Sequence, residues 1–371
     1  MNKIRILTVF GTRPEVIKLA PFIKAVEDDS ECLSITCATT QQRELQNEAL
    51  NLFNIQPDYN LDIMRENQDL SHISCSVLNG VTEILVQGKP DFVVVQGDTA
   101  TAFTSALAAF YKKIPVVHIE AGLRTGNLMS PFPEEANRVL ISKIATLHMA
   151  PTQKAKNNLI NDGVIENVFM VGNTIVDSVD LGVKNFATHH PLIKQIIENG
   201  KQKILITVHR RENFGKPLEE ICLAIRDLCI LYPDHYFIWP VHPNPNVHSI
   251  VHSHLNSISN LLLIDPLPYN DLLILINHCD FLISDSGGIQ EEAAILGKKI
   301  IVLREETERM EIIDAGLGIL AGSNKDKIIE ECCKLLTCIN VSSINQKNIY
   351  GSPGVSKLIL EQIKSFYQKC H

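Results

Sequence analysis

The chain has 371 residues, more than the roughly 250 to 300 that one hydrophobic core usually serves, so two domains are expected. Its 34 basic and 42 acidic side chains give a net charge of -8, which argues against a general binder of nucleic acid or of anionic membranes. No stretch approaches the roughly 18 uninterrupted apolar residues of a membrane-spanning helix, and no signal-peptide core precedes the first strand pattern. We therefore expect a cytoplasmic protein.

Cysteine and histidine usage predicts no metal site. The ten cysteines are scattered without a C-x-x-C pair, which is typical of reduced thiols. His248, His252 and His254 include an i, i+4 pair that could hold a metal, but no cysteine or acid completes the set. A solvated helix face is the prediction there.

Ten short, apolar, β-branched runs alternate with helical stretches, beginning at 4–10 and ending at 300–303. Such strands between helices are typical of parallel sheets covered on both faces. The series divides near residue 172 into two similar halves. We therefore predict an α/β fold of two doubly wound, Rossmann-like domains, 1–172 and 173–355, which face each other across a cleft with ligand at the carboxyl ends of the strands.

The stretch 285–293 reads Asp-Ser-Gly-Gly-Ile-Gln-Glu-Glu-Ala and follows an apolar run, so it predicts a strand, a tight turn and a helix. A helix beginning at Ile289 would aim unpaired N–H groups and the positive end of its dipole at an anion such as phosphate. Ser286 is a candidate helix cap or phosphate donor. The alternative is a well-capped helix without a ligand.

The glycines and acids of this stretch favour a nucleotide. Gly287 and Gly288 permit a tight turn and a close approach of the backbone to a ligand. Of Glu291 and Glu292, at least one must point away from a phosphate, and the other suits a ribose hydroxyl. A nucleotide is therefore the first hypothesis.

The turn after the first strand reads Gly-Thr-Arg-Pro-Glu at 11–15. Thr12 and Glu15 have the spacing of a capping box. Arg13 has no such structural explanation, because a cation at a helix N-terminus opposes the dipole, so it is expected to face an anion or a carboxylate. Lys18, one turn later, either joins Arg13 or faces solvent.

Three acids are predicted at the same edge of the first sheet. Asp98 follows a strand and could be only a helix cap, whereas Glu120 follows the next strand where no helix begins. Glu134 begins a proline-initiated helix and has Arg138 as its i, i+4 neighbour on one face. A surface ion pair is the usual explanation of that spacing, but its place after a restricted loop favours a site.

Basic residues follow strands of the second half. His209 and Arg210 come after one strand and suit the charge of a diphosphate, although a lone buried histidine is usually a core residue. His242 ends another strand in a proline-rich turn, and Arg309 closes a charged segment that could contact a base or ribose.

Six motifs in order resemble those of the bacterial non-hydrolysing UDP-N-acetylglucosamine 2-epimerases. They are Gly-Thr-Arg-Pro-Glu at 11–15, Gly-Asp-Thr at 97–99, His-Ile-Glu-Ala-Gly-Leu-Arg-Thr-Gly at 118–126, Pro-Glu-Glu-Ala-Asn-Arg at 133–138, His-Arg-Arg-Glu-Asn at 209–213 and Asp-Ser-Gly-Gly-Ile-Gln-Glu-Glu at 285–292. The resemblance runs from residue 6 to about 355. Hydrolysing relatives depart from the first motif, and relatives acting on diacetamido sugars depart around 123–133, but this sequence departs at neither.

The resemblance implies a glycosyltransferase-B-like fold in which a C-terminal helix, 356–371, returns to the first domain. It also implies reversible conversion of UDP-N-acetylglucosamine to UDP-N-acetylmannosamine, which would supply cell-surface polysaccharide. No NAD, other cofactor or metal is required in this family. We expect a homodimer whose ligands are these two nucleotide sugars and UDP, without nucleic-acid or membrane partners.

In the mechanism that the resemblance implies, the proton at carbon 2 is removed and UDP leaves carbon 1, so that 2-acetamidoglucal stays bound until UDP returns. Carried over by motif, the expected catalytic residues are Asp98, Glu120, Glu134, Arg138 and His209. The expected substrate- and UDP-binding residues are Arg13, Lys18, Arg210, His242, Ser286, Gly287, Gly288, Glu292 and Arg309. A hydrolysing 2-epimerase, which releases N-acetylmannosamine and UDP, and a UDP-sugar glycosyltransferase are the alternatives. A catalytically idle UDP-sugar sensor would not retain three acids.

Several bacterial members of the resembled family bind a second UDP-N-acetylglucosamine, and this chain departs from their pattern there. The usual Gln-His-Arg is Gln41, Gln42 and Arg43 here, followed by Glu44, and Asn67 stands where an arginine is common. The second site has thus lost a cation and gained a nearby acid. We hypothesise weak or absent activation by UDP-N-acetylglucosamine.

Overall fold

The computed structural model describes residues 3–40, 43–65, 68–188, 190–337 and 348–370. The chain forms two compact units, of which the first comprises Met1–Asp180 and Tyr350–His371 and the second comprises Leu181–Ile349. The sequence-based division lay at residues 172 and 355.

The first unit is built on a parallel sheet that has seven strands within the described residues, in the order β3-β2-β1-β4-β5-β6-β7. Its strands are β1 (Ile4–Phe10), β2 (Cys32–Ala38), β3 (Tyr59–Asn60), β4 (Phe92–Gln96), β5 (Val116–Ile119), β6 (Leu147–Ala150) and β7 (Val168–Met170). β1, β4 and β5 are apolar and almost wholly buried, as expected of central strands covered on both faces.

The second unit repeats this plan with six strands in its described part, ordered β10-β9-β8-β11-β12-β13 and again parallel. They are β8 (Lys203–Thr207), β9 (Tyr236–Pro240), β10 (Leu261–Ile264), β11 (Phe281–Ser284), β12 (Lys299–Val302) and β13 (Gly318–Leu320). The prediction of two doubly wound parallel sheets is confirmed. Three strands, β3, β6 and β13, were not predicted.

Helices connect the strands of each unit and cover its sheet. In chain order they are α1 (Arg13–Glu27), α2 (Arg43–Leu52), α3 (Leu70–Gly88), α4 (Ala100–Tyr111), α5 (Glu134–Ile144), α6 (Gln153–Asn161), α7 (Ile175–Asn185), α8 (Pro191–Glu198), α9 (Lys216–Leu231), α10 (Pro245–Leu255), α11 (Tyr269–His278), α12 (Gly287–Ile295), α13 (Met310–Asp314), α14 (Lys325–Thr337) and α15 (Val355–Cys370). None of the helices described has the length and apolar character needed to span a membrane.

The C-terminal helix α15 belongs to the first unit and packs on α1. The carboxylate of Asp177 accepts hydrogen bonds from the amides of Gly354 (2.6 Å) and Ser356 (2.7 Å), which satisfies donors that the start of α15 leaves free. Near the other end, Lys364 forms an ion pair with Asp29 at 2.9 Å. Polar contacts thus hold both ends of this helix.

Two histidines lie buried side by side in the first sheet, His118 on β5 and His148 on β6. His118 Nε2–H donates to the carbonyl oxygen of Gly97 at 2.7 Å. Burial lowers the pKa of His118 to about 3 and that of His148 to about 4. Both rings are therefore neutral in the folded protein over a pH range in which an unfolded histidine becomes charged.

We expect the first unit to lose stability as the pH falls from 7 to 5. Below the ordinary histidine pKa of about 6.5, the two histidines bind protons in the unfolded chain but not in the folded chain. The free energy of unfolding therefore falls by up to about 1.4 kcal/mol per pH unit for each ring. Urea unfolding followed at pH 7 and pH 5 measures the slope. His148→Gln should reduce the slope, and an unchanged slope would contradict the assignment.

Candidate active site

The turn between β1 and α1 is organised by a buried carboxylate. Glu15 accepts hydrogen bonds from the amides of Gly11 (3.0 Å) and Thr12 (2.8 Å), which confirms the predicted capping box. Its other oxygen accepts from Thr99 Oγ1 at 2.7 Å, so one side chain joins the turn after β1 to the turn after β4. Burial raises the pKa of Glu15, and these hydrogen bonds oppose that rise. Arg13 is half-buried at this turn.

Asp98 is not the helix cap that its position suggested. Thr99 is the N-cap of α4, because its hydroxyl accepts a hydrogen bond from the amide of Ala102 at 3.0 Å. The carboxylate of Asp98 instead accepts from Arg138 at 2.5 Å, and the side chain of Asn137 donates to the Asp98 carbonyl oxygen at 2.8 Å. Two neighbouring residues of α5 thus hold Asp98 at the carboxyl edge of the sheet.

Glu120 is held in a strained and buried position at the end of β5. Its φ of 64° is left-handed, which costs a non-glycine residue roughly 1 to 3 kcal/mol and is most common at functional sites. One carboxylate oxygen accepts from Lys18 Nζ at 2.5 Å and from Asn173 Nδ2 at 3.4 Å. The other accepts from the side-chain amide of Gln96. Donors from three segments therefore fix the carboxylate.

Lys18 lies beside this acid. Its side chain is only 8% exposed, and the Glu120 side chain is 7% exposed. The structure thus places Lys18 against a carboxylate, whereas the sequence suggested a role in binding substrate or UDP. A buried ion pair is weak evidence for a role in stability, because burying two charges costs about as much as their attraction returns.

Glu134 begins α5 and is half-buried. The ion pair of Glu134 with Arg138, which was the alternative to a site role, is not formed, and the Arg138 guanidinium faces Asp98 and also lies 3.2 Å from Glu135. Glu135 in turn accepts hydrogen bonds from the amides of Thr125 and Gly126, each at 3.0 Å. Arg138 therefore orients Asp98, and Glu135 braces the loop before α5.

In the second unit, His209 and Asp285 follow the neighbouring strands β8 and β11. His209 Nδ1 lies 3.0 Å from Asp285 Oδ1, and the amides of His209 and Arg210 also donate to this carboxylate. Burial alone would raise the pKa of Asp285, but the hydrogen bonds from His209, Arg210 and Asn213 lower it, so the group is an anion. Asp285 was not among the predicted site residues.

The imidazole ring of His242 lies beside that of His209. The rings of His209 and His242 are stacked, with 6.1 Å between their centroids. The amide of Asn244 donates to Nδ1 of His242 at 3.1 Å, which leaves Nε2 of His242 as the N–H nitrogen. Burial lowers the pKa of His242, and the charge of His209 lowers it further.

Helix α12 begins at Gly287 and not at Ile289 as predicted, because Ser286 caps it by accepting a hydrogen bond from the amide of Ile289. Gly288 has open space where a side chain would be, whereas a Cβ on Gly287 would come within 2.7 Å of the Arg309 guanidinium. A side chain at position 287 would therefore displace the Arg309 guanidinium.

Acidic and basic groups alternate around the start of α12. Arg309 Nε donates to Glu291 at 2.8 Å, so Glu291 points to a cation. Glu308 lies between Arg304, at 3.0 Å, and Arg309. Burial lowers the pKa of Arg210, and the charge of Arg304 adds to this effect. Cations and anions here form a network of pairs.

The residues of the hypothesised second site lie largely outside the part of the chain that the structure describes. Gln41, Gln42 and Asn67 lie outside the described residues, as do the side chains of Arg43 and Glu44. Weak or absent activation stays a prediction.

Sequence reasoning missed the residues that orient the acids and His209. They comprise Gln96, Asn137, Glu135, Asn173, Asn213 and Asp285. All but Asn173 lie inside or beside the quoted motifs. Gln96, Asn173 and Asp285 lie at or shortly after the carboxyl end of a strand and could have been found from the strand-end rule, but most of the partners are distant in sequence.

Comparison with known proteins gives one consistent result. Residues 24–364 match the family described as UDP-N-acetylglucosamine 2-epimerase. The UDP-N-acetylglucosamine 2-epimerase of Yersinia pestis is 43% identical over an alignment of 373 positions that covers 97% of this chain and 98% of that protein.

Comparison with solved structures gives the same family. UDP-GlcNAc 2-epimerase from Neisseria meningitidis, bound to UDP-GlcNAc, is 42% identical with a TM-score of 0.90 and covers 97% of this chain and 100% of its own. The Methanocaldococcus jannaschii enzyme, in complex with UDP-GlcNAc and UDP, is 34% identical with a TM-score of 0.84, over 97% and 99% of the two chains. The glycosyltransferase SnogD from Streptomyces nogalater, 12% identical with a TM-score of 0.64 over 98% and 99%, shares the fold alone.

Lys18→Met should destabilise the first unit by about 3 to 5 kcal/mol, because it leaves the buried Glu120 carboxylate without its cation. Urea unfolding measures the loss. Lys24→Met is the matched control on the same helix, since Lys24 pairs with Glu27 at the surface and should cost less than about 1 kcal/mol. In a Glu120→Gln background the cost of Lys18→Met should shrink, and equal costs in both backgrounds would refute the pairing.

Proposed function

Because this chain belongs to the UDP-N-acetylglucosamine 2-epimerase family, we propose that it interconverts UDP-N-acetylglucosamine and UDP-N-acetylmannosamine without hydrolysis. The observation that carries the proposal is the set of three carboxylates, Asp98, Glu120 and Glu134, on successive segments at the carboxyl edge of the first sheet. Inverting a carbon acid requires a base on one face and a proton donor on the other. A third acid suits the sugar hydroxyls.

In the proposed reaction one carboxylate takes the proton from carbon 2. The electrons of that C–H bond form the double bond between carbons 1 and 2, and the bond from carbon 1 to oxygen breaks with its electrons passing to UDP. The product is a bound 2-acetamidoglucal. Protonation of carbon 2 from the opposite face and return of UDP to carbon 1 complete the inversion.

The second unit supplies groups suited to UDP. The first amides of α12, the Ser286 hydroxyl and the exposed ring of His209 are donors for a diphosphate, and donors placed where charge develops stabilise a departing anion. From its place in the motif at 285–292, we assign the ribose hydroxyls to Glu292. In the first unit, Arg13 is the cation assigned to the phosphates.

The resemblance of the motifs supports two further points. We propose that UDP-N-acetylmannosamine feeds cell-surface polysaccharide synthesis, and that the chain acts as a homodimer.

Incubation with UDP-N-acetylglucosamine in deuterium oxide tests the reaction. We expect deuterium at carbon 2 of both nucleotide sugars, because the abstracted proton exchanges with solvent before it returns. Mass spectrometry and NMR of the recovered sugars measure this. Accumulation of free N-acetylmannosamine and UDP would instead establish the hydrolysing reaction, and folded protein that exchanges no deuterium would end the epimerase proposal.

Asp98→Asn, Glu120→Gln and Glu134→Gln should each lower turnover by about 100-fold or more, the usual loss when a general acid or base is removed. Their affinity for UDP, measured by calorimetry, should stay close to wild type. Arg13→Ala serves as the converse variant and should weaken UDP binding by about 1.5 to 3 kcal/mol, the scale of a hydrogen bond to a charged group. Acid variants that lose UDP affinity instead would show the sites to be misassigned.

A further inference from the structure

Asp285 is the most completely enclosed carboxylate of the second unit's site, with no exposed surface. It directly follows β11, and its own amide donates to the carbonyl oxygen of Thr207 on β8 at 3.3 Å. It therefore lies where the two central strands of the sheet separate. An anion in that position requires donors on every side.

Four N–H groups surround the carboxylate. Its Oδ2 accepts from the amides of His209 (3.0 Å) and Arg210 (2.9 Å) and from Asn213 Nδ2 (2.9 Å). Its Oδ1 faces His209 Nδ1 at 3.0 Å. Asn213 is itself fixed by donating to the Leu303 carbonyl oxygen at 3.1 Å. Both the backbone amide and the ring of His209 are thus positioned by one buried carboxylate.

The contact defines the state of the His209 ring. A carboxylate can only accept, so the nitrogen facing it carries a proton, and Nε2 is the nitrogen left for a ligand. The His209 side chain is 41% exposed, so Nε2 is accessible. With Nδ1–H already held by an anion, the ring can take a second proton at Nε2 and become a cation toward a bound diphosphate.

We propose that Asp285 is a positioning residue that keeps the proton of His209 on Nδ1 and so directs Nε2, able to carry positive charge, at the departing diphosphate. This inference rests on the proposed epimerase function and assigns a role to a residue that contacts no substrate. The alternative is that Asp285 only fastens the loop after β8 to β11.

The substitution Asp285→Asn separates the two roles. The amide of His209 also lies 3.2 Å from Oδ1, but all three donors are nearer to Oδ2, so the asparagine carbonyl oxygen takes that place and its NH2 group faces His209 Nδ1. The ring must then accept at Nδ1 and hold its proton on Nε2, while the loop keeps its backbone contacts. In serine proteases the same change at a His–Asp pair preserves geometry and lowers turnover by about 10,000-fold.

The chain offers a matched control at the other end of the same two strands. Asp280 precedes β11, and its Oδ2 accepts from the amide of Lys203 on β8 at 2.7 Å while its amide donates to the Lys203 carbonyl oxygen at 2.8 Å. Asp280→Asn makes the same change from carboxylate to amide at another strand-to-strand contact, far from His209 along the strands. It should leave turnover unchanged.

The experiment measures turnover and UDP affinity of wild type, Asp285→Asn, Asp280→Asn, His209→Asn and the variant with both Asp285→Asn and His209→Asn. We expect Asp285→Asn to lower turnover by about 10-fold or more, with UDP affinity changed by no more than about threefold, because a neutral Nε2–H still donates to phosphate. In the His209→Asn background it should cost nothing further.

Two results would overturn the inference: turnover of Asp285→Asn equal to that of Asp280→Asn, or the same loss from Asp285→Asn with and without His209. Wild type that fails to exchange deuterium at carbon 2 would instead refute the proposed function. If Asp285→Asn does not fold, the ¹⁵N NMR spectrum of wild type tests the inference instead. The His209 signal is identified by its absence in His209→Asn, and it must show a protonated Nδ1. A neutral ring protonated only on Nε2 refutes the inference.

Discussion

Both sheets reverse their strand order at one place, and the functional groups of each unit depend on that reversal. In the first sheet the chain moves outward from β1 in one direction and from β4 in the other, and in the second sheet β8 and β11 have the same relation. Loops that leave two adjacent parallel strands toward opposite faces open a crevice at the carboxyl edge. Side chains placed directly after those strands are therefore brought together without any local sequence signal.

The same position carries opposite chemistry in the two units. In the first it gathers acids, of which Asp98 is held by Arg138 and Glu120 by Lys18. In the second it gathers nitrogen donors, and the carboxylate of Asp285 holds the loop that carries His209. Asp98, Glu120 and Asp285 each accept a hydrogen bond from a different segment of the chain, which fixes the orientation of their carboxylates.

The strands that could be predicted from sequence are those whose side chains are apolar on both faces, such as β4 and β11. β6 was not predicted because its four residues include His148. β13 was not predicted because it is three residues long and begins with a glycine. The candidate site was largely predictable as positions, since a polar residue after a buried strand must lie at the carboxyl edge. Its pairings were not, because Lys18 and Glu120 are 102 residues apart and His209 and Asp285 are 76 apart. Although Glu134 and Arg138 have the i, i+4 spacing of a local ion pair, Arg138 contacts Asp98, which is 40 residues away in sequence.

Several hydrogen-bond donors of the second unit already have partners within the protein, and this restricts how a diphosphate can bind there. The amides of His209 and Arg210 point at Asp285, and the amide of Ile289 is used by the Ser286 cap, so none of the three is available to phosphate. The amides of Gly287 and Gly288 belong to the first turn of α12, which helix geometry leaves without intrahelical partners. A phosphate would therefore be held by two amides at the helix start and by the outward nitrogen of His209. In the proposed reaction, a departing diphosphate would therefore meet donors that the Ser286 cap and Asp285 have already oriented.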